Sequence, residues 1–163
     1  VDAAVRLGPL SDSTLVARRV YAAKWGTYAS PAYLALHVPP AHPDDLDDHN
    51  CLGLYSVARG EVHGWTFEQD GKRIVRRPGS RLAVSNSEAM VDAAVSGAGV
   101  VQTLDLFASR WVASGALRPI LPDWQHAEPY PISVVYPQGR HLSAKVRAFV
   151  DFVVGLFPRA PSA

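Results

Sequence analysis

The sequence has 163 residues, 48% of them hydrophobic, enough for one compact domain or two small interlocked lobes with a real core. Its 16 Lys and Arg against 15 Asp and Glu leave a net charge of +1 with no long block of one sign. That balance argues against nucleic acid as this stretch's own partner, because phosphate binding needs a concentrated basic face.

Residues 1–6 alternate weakly and end at Gly8-Pro9, so a strand meets a loop whose turn chemistry comes from Ser11-Asp12-Ser13. Residues 15–29, rich in Val, Tyr, Trp and Thr, read as one or two consecutive strands. Ser30-Pro31 reads as a helix start: Ser accepts a backbone N–H, and Pro at the first helical position loses no bond it would have made. That helix is short and ends near His37. Residues 44–48 form one acidic helical turn around Leu46, and 51–55 a buried strand. Two strand-like runs, 65–69 and 73–77, flank Asp70-Gly71, a strong hairpin signal; the basic run 72–77 is the solvated side of such a strand. A further strand covers 81–84.

Ser85-Asn86-Ser87-Glu88 marks a second helix start, in which Ser85 and Glu88 have capping-box spacing and Asn86 or Ser87 are competing caps. The helix places Met90, Ala93, Ala94 and Gly97 on one face and ends at Gly97-Ala98-Gly99. A strand at 100–103 follows, then a helix capped by Asp105 and closed by Gly115, then apolar runs at 117–121 and 132–136. The last helix carries Val146, Phe149, Val150, Val153 and Val154 on one amphipathic face, and the tail beyond Phe157 frays. Strands and helices alternate without repeats, which predicts an α/β fold with a largely parallel sheet plus one antiparallel hairpin; a single doubly wound sheet is a further option.

Cys51 is the one cysteine, so no intramolecular disulfide forms and a reducing, cytoplasmic location is expected. No apolar run approaches the roughly 20 residues needed to cross a bilayer, and no basic-then-apolar signal opens the chain. The start at Val1, without an initiator Met, reads as a piece of something longer.

Seven segments, in order, resemble one family. Residues 2–8 with 12–19 (Asp12-Ser13-Thr14-Leu15-Val16-Ala17-Arg18-Arg19) are similar to a stretch found in many LysR-type transcriptional regulators. So are Ala29-Ser30-Pro31-Ala32-Tyr33-Leu34, and Pro43-Asp44-Asp45-Leu46 with His49 and Cys51. Trp65-Thr66-Phe67 ahead of Gly71, Ser85-Asn86 with the run 93–101, and 115–124 follow the same pattern. Tyr136-Pro137 with Arg140-His141-Leu142-Ser143 and Lys145-Val146-Arg147 completes it.

The resemblance implies an α/β fold like a type 2 periplasmic binding protein, two α/β lobes with a ligand cleft between them and the first lobe incomplete. It implies that 30–84 build the second lobe, while 1–29 and 85–163 build the first lobe and the crossover strands. It further implies a small-molecule effector, an organic anion or an aromatic acid, a homodimer or tetramer, and contact with DNA through a winged helix-turn-helix that this sequence lacks. No membrane partner, cofactor or metal is implied. Two departures stand out: Thr103-Leu104 replaces the family's frequent Leu-Pro, and Gln102 is unusual at its position.

Helix N-termini offer unpaired N–H groups and a positive dipole end to a carboxylate. Ser30, Pro31, Ser85, Asn86 and Ser87 are therefore candidate effector contacts, beside the plainer reading that they cap their own helices. Gly8, Pro9 and Leu10 follow a strand end and are candidates for a pocket wall, and Gln102 and Thr103 for polar orientation of a ligand or for a buried structural role. No catalytic residue is assigned. The six His form no H-E-x-x-H, and neither a G-x-S-x-G nor a Cys pair is present. His42 and His49 bracket Asp44, Asp45, Asp47 and Asp48, which read as an exposed acidic turn rather than a metal site. The alternatives are a standalone or transport-type solute-binding domain, and an enzyme with a catalytic acid–base pair in the cleft.

Overall fold

The computed structural model describes residues 2–10, 15–124, 128–138 and 143–157. The expected turn at Ser11-Asp12-Ser13, the motif residues Asp12 to Thr14 and Arg140-His141-Leu142, and the tail beyond Phe157 lie outside them. The chain divides into two compact units, residues 1–23 with 129–163 and residues 24–128.

In unit 1 the strands β1 (Ala4–Leu7), β2 (Leu15–Ala23) and β11 (Tyr130–Pro137) form an antiparallel sheet in the order β1-β11-β2. The central strand buries Ile132, Val134 and Val135. Helix α4 (Ala144–Leu156) contacts it, with Ser143 as N-cap accepting the Val146 N–H. Of the expected apolar face, Val146, Val150 and Val153 are buried, each contributing about 1.5–3 kcal/mol of transfer free energy, whereas Phe149 is 38% exposed.

Unit 2 is built on a mixed sheet. Strands β3 (Trp25–Ala29), β4 (Cys51–Ser56), β5 (Glu61–Val62), β8 (Leu82–Val84), β9 (Val100–Leu104) and β10 (Arg118–Ile120) form it, and β6 (Trp65–Gln69) pairs with β7 (Lys72–Arg76) as a separate hairpin. Leu52 of β4 pairs with Leu82 of β8 and with Val101 of β9, so β4 lies between them, and both pairings are parallel. The chain runs β8, helix α2 (Ser87–Val95), β9, a crossover that steps over β4. Beyond β9 the sheet turns antiparallel, through β3 and β10.

The sheet is buried on both faces. Val101 of β9 packs with Tyr28, Leu52, Met90, Val91, Ala94 and Ala108 under α2 and α3 (Asp105–Ala113). Val100 packs on the other face with Tyr33 of α1 (Pro31–Leu34), Leu46 of the 3-10 turn Pro43–Asp48, and Trp65 and Phe67 of the hairpin. Asp70 and Gly71 take φ of 51° and 76°, the double positive φ that a two-residue hairpin turn demands. Gly97, at φ 89°, closes α2: its N–H donates to Ala94 C=O and the Ala98 N–H to Ala93 C=O, a Schellman ending.

Three expectations are corrected. Among the described pairings only β4–β8 and β4–β9 run parallel, so the sheet is not largely parallel. β2 pairs with β11, and β3 with both β9 and β10, in antiparallel register. A single doubly wound sheet is likewise excluded by the three separate sheets. Asp105 is the first residue of α3 rather than its cap: its carboxylate accepts the Lys24 N–H at 3.1 Å while its own N–H donates to Lys24 C=O at 2.8 Å. α2, β9 and α3 belong with unit 2, because β9 pairs with β3 and β4 and both helices pack on it.

Candidate functional site

Because β4, β8 and β9 are mutually parallel, their carboxyl ends share one edge of the unit 2 sheet, where open α/β sheets receive ligands. α2 and α3 both start there. Asn86 is the α2 N-cap, its Oδ1 accepting the Ala89 N–H at 2.9 Å, which settles the competition among Ser85, Asn86 and Ser87. Ser85 and Asn86 are exposed and Ser87 is half-buried. The remaining first-turn N–H groups of α2 have no intrahelical acceptor, so this end is suited to an anion.

Ser30 and Pro31 are not part of that edge. β3 is antiparallel to β9, Trp25 facing Leu104 and Tyr28 facing Val101, so the end of β3 lies at the amino end of β9. A Cβ added at Gly97 would meet Ser30 Oγ at 3.8 Å, placing Ser30 beside the C-terminal end of α2, about 14 Å of helix from Asn86. Ser30 is 1% exposed, and its hydroxyl accepts the Tyr33 N–H at 3.3 Å. It caps α1.

Gln102 and Thr103 point to opposite faces of β9, since Val100 and Val101 beside them pack into different core clusters. One pocket cannot take both. Thr103 is 2% exposed within the sheet. The Gln102 amide bonds the backbone of Thr66 twice, Oε1 accepting the N–H at 3.2 Å and Nε2 donating to the C=O at 3.1 Å. It thereby joins the hairpin to the central sheet, and with Trp25, Leu54, His63, Gly64, Trp65 and Thr66 it lines a hollow of about 110 Å³. None of those six was a site candidate in the sequence, where Trp65 and Thr66 entered only as part of a strand motif; the two Trp, one opening β3 and one following Gly64, were the available signal.

Gly8, Pro9 and Leu10 belong to unit 1. Gly8 has φ 99° and donates its N–H to Pro131 C=O at 2.8 Å, and a Cβ there would collide with the Tyr130 ring, so glycine is required for the chain to leave β1. Pro9 and Leu10 are exposed.

The sequence model of the family described as LysR substrate binding domain matches residues 1–158. The chain belongs to that family. It is similar to an HTH-type transcriptional repressor of Pseudomonas aeruginosa, 33% identical over 161 residues, covering 99% of this chain and 50% of the repressor. An HTH-type transcriptional regulator of Xanthomonas campestris is 38% identical over 158 residues, covering 94% and 45%. The solved CrgA regulatory domain, a LysR-type transcriptional regulator from Neisseria meningitidis, superposes with a TM-score of 0.85 at 29% identity, covering 97% of this chain and 76% of that one. The chain thus spans about half the length of the curated relatives it matches.

The fold of this LysR substrate-binding domain is accordingly periplasmic-binding-protein-like, and the domain is of the effector-binding type. Among the described residues no helix is long and apolar enough to cross a membrane. Nor do three or more His, Cys, Asp or Glu in them stand as a metal-holding group. The acidic turn has other employment: Asp44 and Asp47 pair with Arg76 of β7, and the Asp45 carboxylate accepts the His42 and Ala41 N–H groups, both at 2.9 Å, which lowers its pKa.

Beside that turn, Tyr33 Oη accepts the Asn50 N–H and lies 3.1 Å from His49 Nδ1, while the His37 ring stacks on Tyr33 at 4.0 Å. Burial holds the His49 pKa below its ordinary value, with His37 adding to the effect and Asp48 and Asp45 opposing it. Burial likewise pushes the Cys51 thiol up to about 12, so it stays protonated and unreactive.

Proposed function

We propose that this domain is the non-enzymatic effector sensor of a cytoplasmic LysR-type transcriptional regulator. It binds a small organic anion or aromatic acid and passes the event, through a homodimer or tetramer, to a DNA-binding segment elsewhere in the full-length protein. The reading rests on the family match combined with the carboxyl edge of the unit 2 sheet, where the α2 N-terminus and the Gln102 hollow carry hydrogen-bonding groups without a catalytic acid–base pair. Ser85, Asn86 and Ser87 hold the acid group in this proposal, and Gln102 keeps the Trp65–Thr66 wall in place. Thr103 and the pair Ser30-Pro31 are structural. Signalling requires that the effector bind one arrangement of the regulator better than another.

A thermal-shift screen of small acids and aromatics tests the proposal, because a ligand at roughly a hundred times its dissociation constant adds about 2.7 kcal/mol of stability. Ser85→Ala and Ser87→Ala are expected to lose the ligand-dependent shift while melting as the parent does without ligand. A shift indifferent to both, or turnover of the stabilising compound, refutes it.

A further inference from the structure

Unit 2 holds a second hollow, of about 350 Å³, over β4 and β8 on the hairpin side of the sheet. Trp65, Val62, Pro78 and Ala83 supply apolar lining, and Arg77, His63 and Glu61 supply charge or polarity. Its floor is tightly packed. A Cβ added at Gly53 would press on Val62 Cγ1, Ser80 Oγ and Ala83 Cβ, so the space above β4 is a shaped depression rather than slack beneath it.

The two neighbouring arginines differ. Arg76 is tied to Asp44 and Asp47, whereas Arg77 is 73% exposed in its side chain and has one acidic partner among the described residues, Glu61 at 3.8 Å. That separation is beyond charge-assisted hydrogen-bond length. The Arg77 stem runs along Gly64, where an added Cβ would lie 3.6 Å from its Cγ and Nε, so the cation is laid across the hollow's rim. Apolar lining with a cation at the rim matches a small acid: the body displaces water from Val62, Pro78 and Ala83, and the carboxylate takes the Arg77 guanidinium from Glu61.

We infer that this hollow, which borders the Gln102 hollow at His63 and Trp65, binds a compact apolar monocarboxylic acid held by Arg77 over Val62 and Ala83. The site is independent of the α2 N-terminus, but Ala83 lies in β8, one residue before the strand ends and two before Ser85. Occupancy here bears on the strand that leads into α2, which makes the acid a co-ligand of the sensor.

The test is an amide NMR titration of the chain with cyclohexanecarboxylate and its neutral analogue cyclohexanecarboxamide. The acid is expected to move the Val62, His63 and Ala83 signals and to bind about tenfold more tightly than the amide. Arg77→Met, which keeps the stem and removes the charge, is expected to abolish that preference, and Glu61→Gln to strengthen acid binding by removing the competitor. Ala83→Leu, which fills the hollow, should block both compounds; correct folding of each variant is read from its ligand-free spectrum. Equal binding of acid and amide, an undiminished preference in Arg77→Met, or shifts confined to residues 85–88 overturns the inference. Loss of the effector-dependent stabilisation in Ser85→Ala, with acid binding here unchanged, leaves this site standing and bears on the proposed function alone.

Discussion

Gln102→Ala removes two hydrogen bonds at once, because the amide engages both the N–H and the C=O of Thr66 at 3.2 and 3.1 Å. Each such bond contributes about 0.5–1.5 kcal/mol net, so the pair is worth about 1–3 kcal/mol. Gln102 is 8% exposed, so water does not fully replace the amide, and the upper part of that interval applies. For a chain of this size the loss lowers the melting temperature by about 3–10 °C. Two companions separate the bonds from the volume. Gln102→Met keeps the bulk and loses both bonds, so it should fall with alanine. Gln102→Glu keeps an acceptor for the Thr66 N–H but sets a carboxylate against the Thr66 carbonyl, and should be destabilised more at pH 8 than at pH 4, where a protonated acid again donates. Urea melts followed by far-UV circular dichroism give the numbers. Midpoints for the alanine and methionine variants within about 0.5 kcal/mol of the parent, as for an ordinary surface position, refute the claim that Gln102 joins the hairpin to the sheet.

His49 has a folded-state pKa below its ordinary 6.5, so the unfolded chain takes up the proton first as pH falls. Stability is therefore complete above about pH 6.5 and is lost as pH falls through the folded value; urea midpoints between pH 8 and 5 should decline, and His49→Asn should flatten that decline. Cys51, raised to about 12 by burial, should react with a thiol reagent at pH 8 at a rate set by unfolding, and rapidly in urea; prompt labelling of the native chain contradicts its burial. Gly99→Ala places a Cβ against the backbone carbonyl of Asn50 and should cost about 1–3 kcal/mol by overpacking, read as a lower urea midpoint.

Local chemistry was legible in the sequence where it is local in space. The Ser30 cap, the Asp70-Gly71 turn, the Gly97 ending of α2 and the Val146, Val150 and Val153 part of the α4 stripe each depend on residues within a few positions of one another, and each is found where the pattern put it. What depends on pairing was hidden. Residues 15–29 read as one or two consecutive strands, with no sign that the chain changes sheets at Lys24, where Asp105 from 81 positions away clasps the backbone. Ser30 and Asn86 are chemically alike as caps, and only the antiparallel pairing of β3 with β9 sends them to opposite edges. Gln102 was visible as an unusual polar residue in a central strand, but its partner is a backbone brought alongside by the hairpin, which no linear pattern announces.

The family itself was readable, because its motifs lie in order along the chain, and the match over residues 1–158 agrees. The edge that carries the α2 N-terminus was harder to read, since it follows from which strands pair in parallel.

The most direct check of the sensor account is an amide NMR map of the chain with the strongest stabilising compound from the acid screen. The account predicts changes concentrated at Ser85, Asn86 and Ser87 and at the Trp25 and Trp65 indoles, with the compound recovered unchanged. Changes concentrated at residues 30–37, or conversion of the compound into another, would contradict it.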